Sequence, residues 1–404
     1  LHGKGKKMHE VGNRKNATVN AQPAGGVSSR LPFLDHLRAA LVILVVLHHA
    51  ALVYGAGAPF YYTEPPLSDP LAYLILLVFV LFNQAWFMGA FFLLAGYFTP
   101  GSFDRKGPGG FLKSRLVRLG IPLLLFYFVL NPLSSIGYWQ MPAELTGITT
   151  PLTWQAYPRL LGMGPLWFAA MLLVFDFGYA ARRMLARNRK PPAAEGSTAP
   201  GYLAIGAFIL ALAMAGFLMR AVIPMGEYVL GFPTLSYLPQ YLALFAAGAA
   251  ASRRGWLRNP PGSLGAAGLA SAAVASILLF PLALSGKLFS LQPAEPAQFV
   301  GNGSWSSALY ALWDSIFAVG MILGAAVVFR RFFNREGSFG RFLARHGYAV
   351  FLLHVPIVVF IGIALKGIQI EPLLKFGLAS AIALPLCFAA ACAVRKIPGV
   401  SRIL

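Results

Sequence analysis

The sequence predicts an all-α polytopic membrane protein of about ten transmembrane helices with both termini cytoplasmic, and three observations carry that expectation. Of the 404 residues, 57% are hydrophobic and only 11% charged, against about 45–50% and about 25% in soluble domains. Apolar stretches of about 17 to 25 residues, enough to cross a hydrocarbon core of about 30 Å, recur along nearly the whole chain. Lysine and arginine then alternate between rich and poor from one gap to the next, as the positive-inside rule requires of a multi-pass protein.

The apolar stretches fall at about 31–54, 71–98, 118–138, 164–181, 202–223, 234–251, 263–285, 306–329, 347–365 and 374–394. Each reads as a helix, because its length and its Leu, Ala, Gly and Phe content oppose a transmembrane barrel, whose strands run about ten residues and alternate polar with apolar. The second ends in FFLLAGYF, small residues flanked by aromatics, which suits close helix packing. The third follows the basic segment FDRKGPGGFLKSRLVRLGIP. Trp167, at the start of the fourth, is expected at the membrane–water interface, where aromatic residues gather.

Only Arg159, Arg220, Lys287, Lys366 and Lys375 occupy gaps on one side; every other lysine and arginine occupies the other. The rich side is the cytoplasmic one by this rule, which places the chain in a cell membrane, inner or plasma, with N-in and C-in topology. The net charge of +20 is then largely topological and gives no support to nucleic-acid binding. Residues 1–30 read as a disordered basic cytoplasmic tail, 31–395 as one ten-helix membrane domain, and 396–404 as a short cytoplasmic tail. The stretch 191–201, PPAAEGSTAPG, reads as a flexible link. Two cysteines, Cys387 and Cys392, lie in one apolar run, which opposes a disulfide framework or a zinc site; no metal is expected.

Ionisable groups inside a membrane cost about 2.5–3.5 kcal/mol each on insertion scales, so the few present are candidates for chemistry. The first helix carries Asp35, Arg38, His48 and His49. Eleven residues separate Arg38 from His49, three turns plus about 20°, so both occupy one face about 16 Å apart along the axis, while His48 points about 100° away. A histidine there suits general-base activation of a hydroxyl toward an acyl carbonyl. Arg38, nearer the cytoplasm and oriented by Asp35, suits an anionic group. The same residues also suit a proton relay in a transporter, or polar packing with snorkelling ends. Arg115 and Arg118, three apart with Lys113 nearby, read as a phosphate clamp or as a positive-inside anchor. Asp176 and Asp314 lie in apolar runs, and His354 adds a third membrane-embedded histidine.

Taken together, these residues resemble the acyltransferase-3 family of integral-membrane acyltransferases. The resemblance rests on an Arg, ten residues and a His in the first helix, here Arg38 to His49. Further matches are FFLLAGYF, the RLVRLGIP segment with Arg115, Arg118 and Pro122, the LWF of Leu166, Trp167 and Phe168, and the LLHVPI containing His354. These are spread in the family's order over about residues 31–395, and the chain looks most similar to the branch that includes glucan-modifying succinyltransferase-type proteins.

The resemblance implies transfer of a short acyl group from cytoplasmic acyl-CoA to a hydroxyl of a carbohydrate or other extracytoplasmic acceptor. The acyl-CoA would be a co-substrate, and no tightly bound cofactor is expected. His49 would be catalytic with Arg38 as its partner, supported by Asp35, His48 and His354, while Arg115, Arg118 and Lys113 would face the donor. The competing expectation is a proton-coupled transporter of a small anion or sugar, which predicts matched broken helices near the midplane.

Overall fold

The computed structural model describes residues 1–3, 31–55, 57, 60–64, 69–186, 199–285 and 297–404. The tail expected over 1–30 thus lies outside the described residues apart from its first three, as does most of the 191–201 link. Residues 31–404 form one compact unit.

Among the described residues, ten long helical elements build this unit, with short helical turns between some of them. They are α1 (Pro32–Val53), α2 (Pro70–Arg115), α3 (116–140), α4 (Trp167–Leu185), α5 (Tyr202–Val222), α6 (Leu238–Arg254), α7 (Gly262–Ser285), α8 (Trp305–Phe332), α9 (Ser338–Ala364) and α10 (Pro372–Arg395). Every span read from the sequence is helical, and the described residues contain no named strand. Local chemistry sets several starts. Proline opens α1, α2 and α10, where a missing N–H is harmless. The Asp69 carboxylate accepts from the N–H groups of Leu71 and Ala72, and that of Glu371 from Leu373 and Leu374. Gly255 closes α6 in the left-handed conformation.

Among the described residues, eight helical runs are long and apolar enough to cross a membrane. One of them, Pro70–Gln140, holds two of the expected spans, and α6 at 17 residues is a little shorter than the rest. The merged run breaks at Gly107, whose φ of 68° and ψ of 171° suit glycine far better than any other residue. The helix folds back there. Phe103 meets Phe111 at 5.5 Å between ring centroids, and Arg115 donates to Thr99 at 3.2 Å. Sixteen residues of straight helix would separate that last pair by about 24 Å.

Helix α2 packs against α1, α4, α6 and α8, while α9 lies between α1 and α10. Small residues permit the closest of these contacts. A Cβ on Gly96 would collide with the Phe245 carbonyl oxygen, and one on Gly248 with that of Leu93. The backbones of α2 and α6 therefore nearly touch, which is the close packing expected of the FFLLAGYF segment. Trp167 departs from expectation. It is 6% exposed and stacks on Tyr241 at 5.5 Å, because the helices around it form an aromatic layer that takes in the whole indole ring.

Helix α5 is the most peripheral, with Leu212, Ala213 and Arg220 its only buried residues. Its anchor is an ion pair: Arg220 donates to Asp314 on α8 at 2.7 Å, with both side chains almost fully buried. The guanidinium also lies over the rings of Tyr237 at 4.5 Å and Tyr310 at 5.3 Å. Removing one member of such a pair strands a charge in an apolar interior, at a cost of about 3–5 kcal/mol. Arg220→Met is expected to lower the melting temperature of detergent-solubilised protein sharply. The double variant Arg220→Met/Asp314→Leu should recover most of that loss, and thermal melts of the two side by side check this.

Candidate active site

Helix α1 places two histidines inside the bundle about one turn before its C-terminal end, and α9 brings a third to meet them. His354, fully buried, sits with Nε2 3.2 Å from His49 Nδ1. The rings of His48 and His49 are 5.3 Å apart, and those of His49 and His354 4.8 Å. Separated by 305 positions in the chain, His49 and His354 nevertheless form one polar centre.

Two backbone carbonyls fix where the protons lie, since a carbonyl can only accept. His354 Nδ1 lies 2.8 Å from the Phe351 oxygen and must carry hydrogen, which leaves its Nε2 as an acceptor in the neutral ring. His49 Nδ1 lies 2.8 Å from the Val45 oxygen and must carry hydrogen too. That N–H is shared between the Val45 carbonyl and His354 Nε2, so the lone pair of His49 stays on Nε2, free to take a proton. His48 differs. It is 6% exposed, stacks on Phe87 at 5.0 Å, and its Nδ1 has no hydrogen-bond partner.

A second feature lies near this centre. Phe60, 5.2 Å from the His49 ring, forms part of the wall of a cavity of about 630 Å³, within the range of small-molecule sites. The loop that carries Phe60 is pinned through Tyr61, whose hydroxyl donates to Asn131 Oδ1 on α3, while Asn131 Nδ2 donates to the Leu160 carbonyl at 2.6 Å. The cavity lies between the end of α1, the start of α2 and the end of α3, away from the Gly107 fold-back.

At the fold-back the expected donor residues separate into two kinds. Arg115 turns inward, with Nε 3.1 Å from Asp176 Oδ2 on α4 and its guanidinium 5.1 Å from the Phe111 ring centroid. The Thr99 hydroxyl donates to Asp176 Oδ1 at 3.0 Å and accepts from Arg115, closing a three-residue network around a carboxylate with no solvent exposure. Arg118 and Lys113 are exposed. Arg38 is bonded to Asp35 at 2.9 Å, with 43% of its side chain exposed. It stands about 16 Å along α1 from His49, so the two share a face without touching.

Asp176 and Thr99 as partners of Arg115, and Phe60 as partner of His49, were not foreseen. Asp176 had the signal of a carboxylate in an apolar run, whereas Thr99 and Phe60 carry none in one sequence.

The chain is thus a multi-pass helical bundle with a buried histidine pair inside it and exposed cations at one end. The family model described as an acyltransferase domain matches residues 31–392, and the chain belongs to the acyltransferase-3 family. It is a membrane acyltransferase. Among curated proteins, none matches the chain.

The proton placement is directly measurable. In protein labelled with ¹⁵N at histidine and reconstituted in micelles, His49 is expected to carry its proton on Nδ1 and show an unprotonated Nε2. The assignment is made by comparison with His49→Gln, and a proton on His49 Nε2 would contradict the network.

Proposed function

We propose that the protein transfers an acyl group from a coenzyme A thioester, bound at the Gly107 end of the bundle, to a hydroxyl of a carbohydrate or other acceptor entering from the opposite end. On this reading the Gly107 end is cytoplasmic, with both termini on that side of an inner or plasma membrane, and the acceptor is extracytoplasmic. The observation that carries the proposal is the His49 ring, with Nδ1–H committed to Val45 and His354 and Nε2 left to accept.

In this scheme His49 Nε2 takes the proton of the acceptor hydroxyl as its oxygen attacks the thioester carbonyl. The carbon–sulfur bond breaks, the new ester forms, and the proton passes from His49 to the departing thiolate, which leaves as free coenzyme A and restores the neutral base. The charge that appears on His49 during the step is steadied by His354 Nε2, which accepts the hydrogen bond of the Nδ1–H. His354 is thus a positioning residue that fixes the tautomer and steadies the imidazolium, comparable to the partner that orients a base in other hydrolases and transferases.

The donor residues act at a distance from this centre. Arg118, Lys113 and Arg38 supply exposed cations for the phosphates, and the pantetheine arm covers the roughly 16 Å of helix between the levels of Arg38 and His49. Arg115, already paired with Asp176, shapes that entrance from inside. This assigns Arg38 to the donor rather than to direct contact with the His49 ring, and Asp35 to orienting it. His48, stacked on Phe87, supports the position of α1. Membership of an acyltransferase family and the position of the Gly107 break, far from the histidines, both weigh against the transporter reading.

The test is turnover with a short-chain acyl-CoA, followed as thiol release and as ester formation. His49→Ala, correctly inserted, is expected to lose transfer by at least 100-fold, the low end of what a general base contributes. His354→Gln should lower kcat by about tenfold and shift the pH profile, with KM for the donor unchanged; full activity in His49→Ala would refute the scheme.

Donor binding is tested separately by thermal stability across a panel of acyl-CoA thioesters. A ligand present at 100 times its Kd stabilises the folded state by about 2.7 kcal/mol. That shift is expected to disappear in Arg118→Ala/Lys113→Ala, variants that leave the buried Arg115 pair intact. No shift with any thioester would argue for another donor.

A further inference from the structure

Helix α8 ends in a run of arginines that the acyl-transfer scheme leaves unused. Arg330, Arg331 and Arg335, with Phe332 and Asn334, line a cavity of about 470 Å³ where this 28-residue helix turns toward α9. No carboxylate lines it. Among the described residues none of the three guanidiniums is paired with an acid; the adjacent Glu336 is engaged with Arg341 at 3.6 Å. Two of the three rest on rings, Arg330 over Phe33 of α1 at 5.8 Å and Arg331 over Phe332 at 5.3 Å. A guanidinium stacked by its face keeps its N–H edge for another partner. The site is also braced from α1, because His36 donates through Nδ1 to the Phe333 carbonyl at 2.6 Å.

Three like charges around one space repel one another, and an anion seated among them turns that repulsion into attraction. The planar fork of arginine matches phosphate oxygens two at a time, so a phosphate is the anion this wall suits best. The surroundings say where the phosphate comes from. Phe332 and Phe339 are 65% and 71% exposed, and Phe333 lies between them in sequence with half of its surface open. Helix α8 is one of the runs long and apolar enough to cross a membrane, so arginines in its last turn stand at the boundary between hydrocarbon and water. There the open rings meet acyl chains while the guanidiniums meet headgroups. A soluble anion would leave the rings bare. Arg38, Lys113 and Arg118, the cations assigned to the donor, do not line this cavity.

We propose that this cavity seats the phosphodiester of an anionic phospholipid, held by Arg330, Arg331 and Arg335, with the lipid's acyl chains lying against Phe332 and Phe339. On the orientation given above, the lipid belongs to the cytoplasmic leaflet. Because Phe33 and His36 of α1 brace the site, the bound lipid ties the end of α8 to the helix that carries His48 and His49. The inference takes nothing from the acyl-transfer reading except the choice of leaflet, and its test uses no turnover.

Native mass spectrometry of the delipidated full chain, titrated with phosphatidylglycerol or phosphatidylcholine, counts bound lipids directly. The first phosphatidylglycerol is expected to bind saturably, and about tenfold or more tightly than phosphatidylcholine. Arg330→Gln/Arg331→Gln/Arg335→Gln should weaken that binding by about tenfold or more. Removing three other exposed arginines from the same arginine-rich side, in Arg182→Gln/Arg258→Gln/Arg402→Gln, should change it by less than about twofold, since a diffuse layer of charge is not the site. If the first triple variant fails to fold, Arg335→Gln alone, at an exposed position, is expected to weaken binding several-fold. Inorganic phosphate or coenzyme A added to the complex should not displace the lipid. Equal affinity for phosphatidylcholine, unchanged affinity in the cavity variants, or an equal loss in the control triple would overturn the assignment. Displacement by either soluble phosphate would overturn it too, and would give the cavity to that soluble anion.

Discussion

A charged or strongly polar group inside an apolar bundle is costly unless it is partnered, because lipid cannot stand in for water, and several partners here come from another helix. The architecture follows from that constraint. Arg115 and Asp176 tie the fold-back to α4, Arg220 and Asp314 tie α5 to α8, and Lys375 ties the start of α10 to Glu64 in the loop before α2. His354 and His49 obey the same rule without formal charge, and in doing so they join α9 to α1. Each link is also a point of register. A helix sliding by one turn would leave a donor and an acceptor facing hydrocarbon, so these few contacts specify one arrangement among many that are equally greasy.

The same constraint divides the molecule into two functional ends. At the Gly107 end, Asp104 accepts from Arg183 and Arg253 and gathers the ends of α4 and α6 around the fold-back. This leaves Arg118 and Lys113 exposed beside a closed network centred on Asp176. At the other end aromatic residues and Glu64, which is paired with Lys375, surround the cavity beside Phe60. The histidines stand between the two.

How much of this could be read from the chain depended on distance along it. The ten helices, the Arg38–His49 spacing and the special place of FFLLAGYF follow from local periodicity, and the structure has a helix at each span and close packing at Gly96. The meeting of His354 with His49 across 305 positions lay beyond any local pattern, although a third histidine in an apolar run was itself a signal. Trp167 was misjudged for a related reason. Its place at a helix start suggests an interface, but burial is decided by Tyr241 and Phe92 from other helices. The Arg115 and Arg118 pair looked uniform on a helical face, yet three residues of rotation send one side chain inward to Asp176 and leave the other outside.

Helix α5 illustrates what such anchoring permits over evolutionary time. About half of its residues are exposed, three are buried, and its one buried charge is Arg220. At its exposed positions any apolar residue of similar transfer free energy satisfies the surroundings, so substitutions there are close to neutral and can accumulate freely. Arg220 has no such latitude, since its loss strands Asp314. A lineage of such proteins would therefore drift fastest along one helix while holding a single arginine in it constant, and the outward face of α5 could adapt to membranes of different lipid composition without disturbing the histidines at the centre.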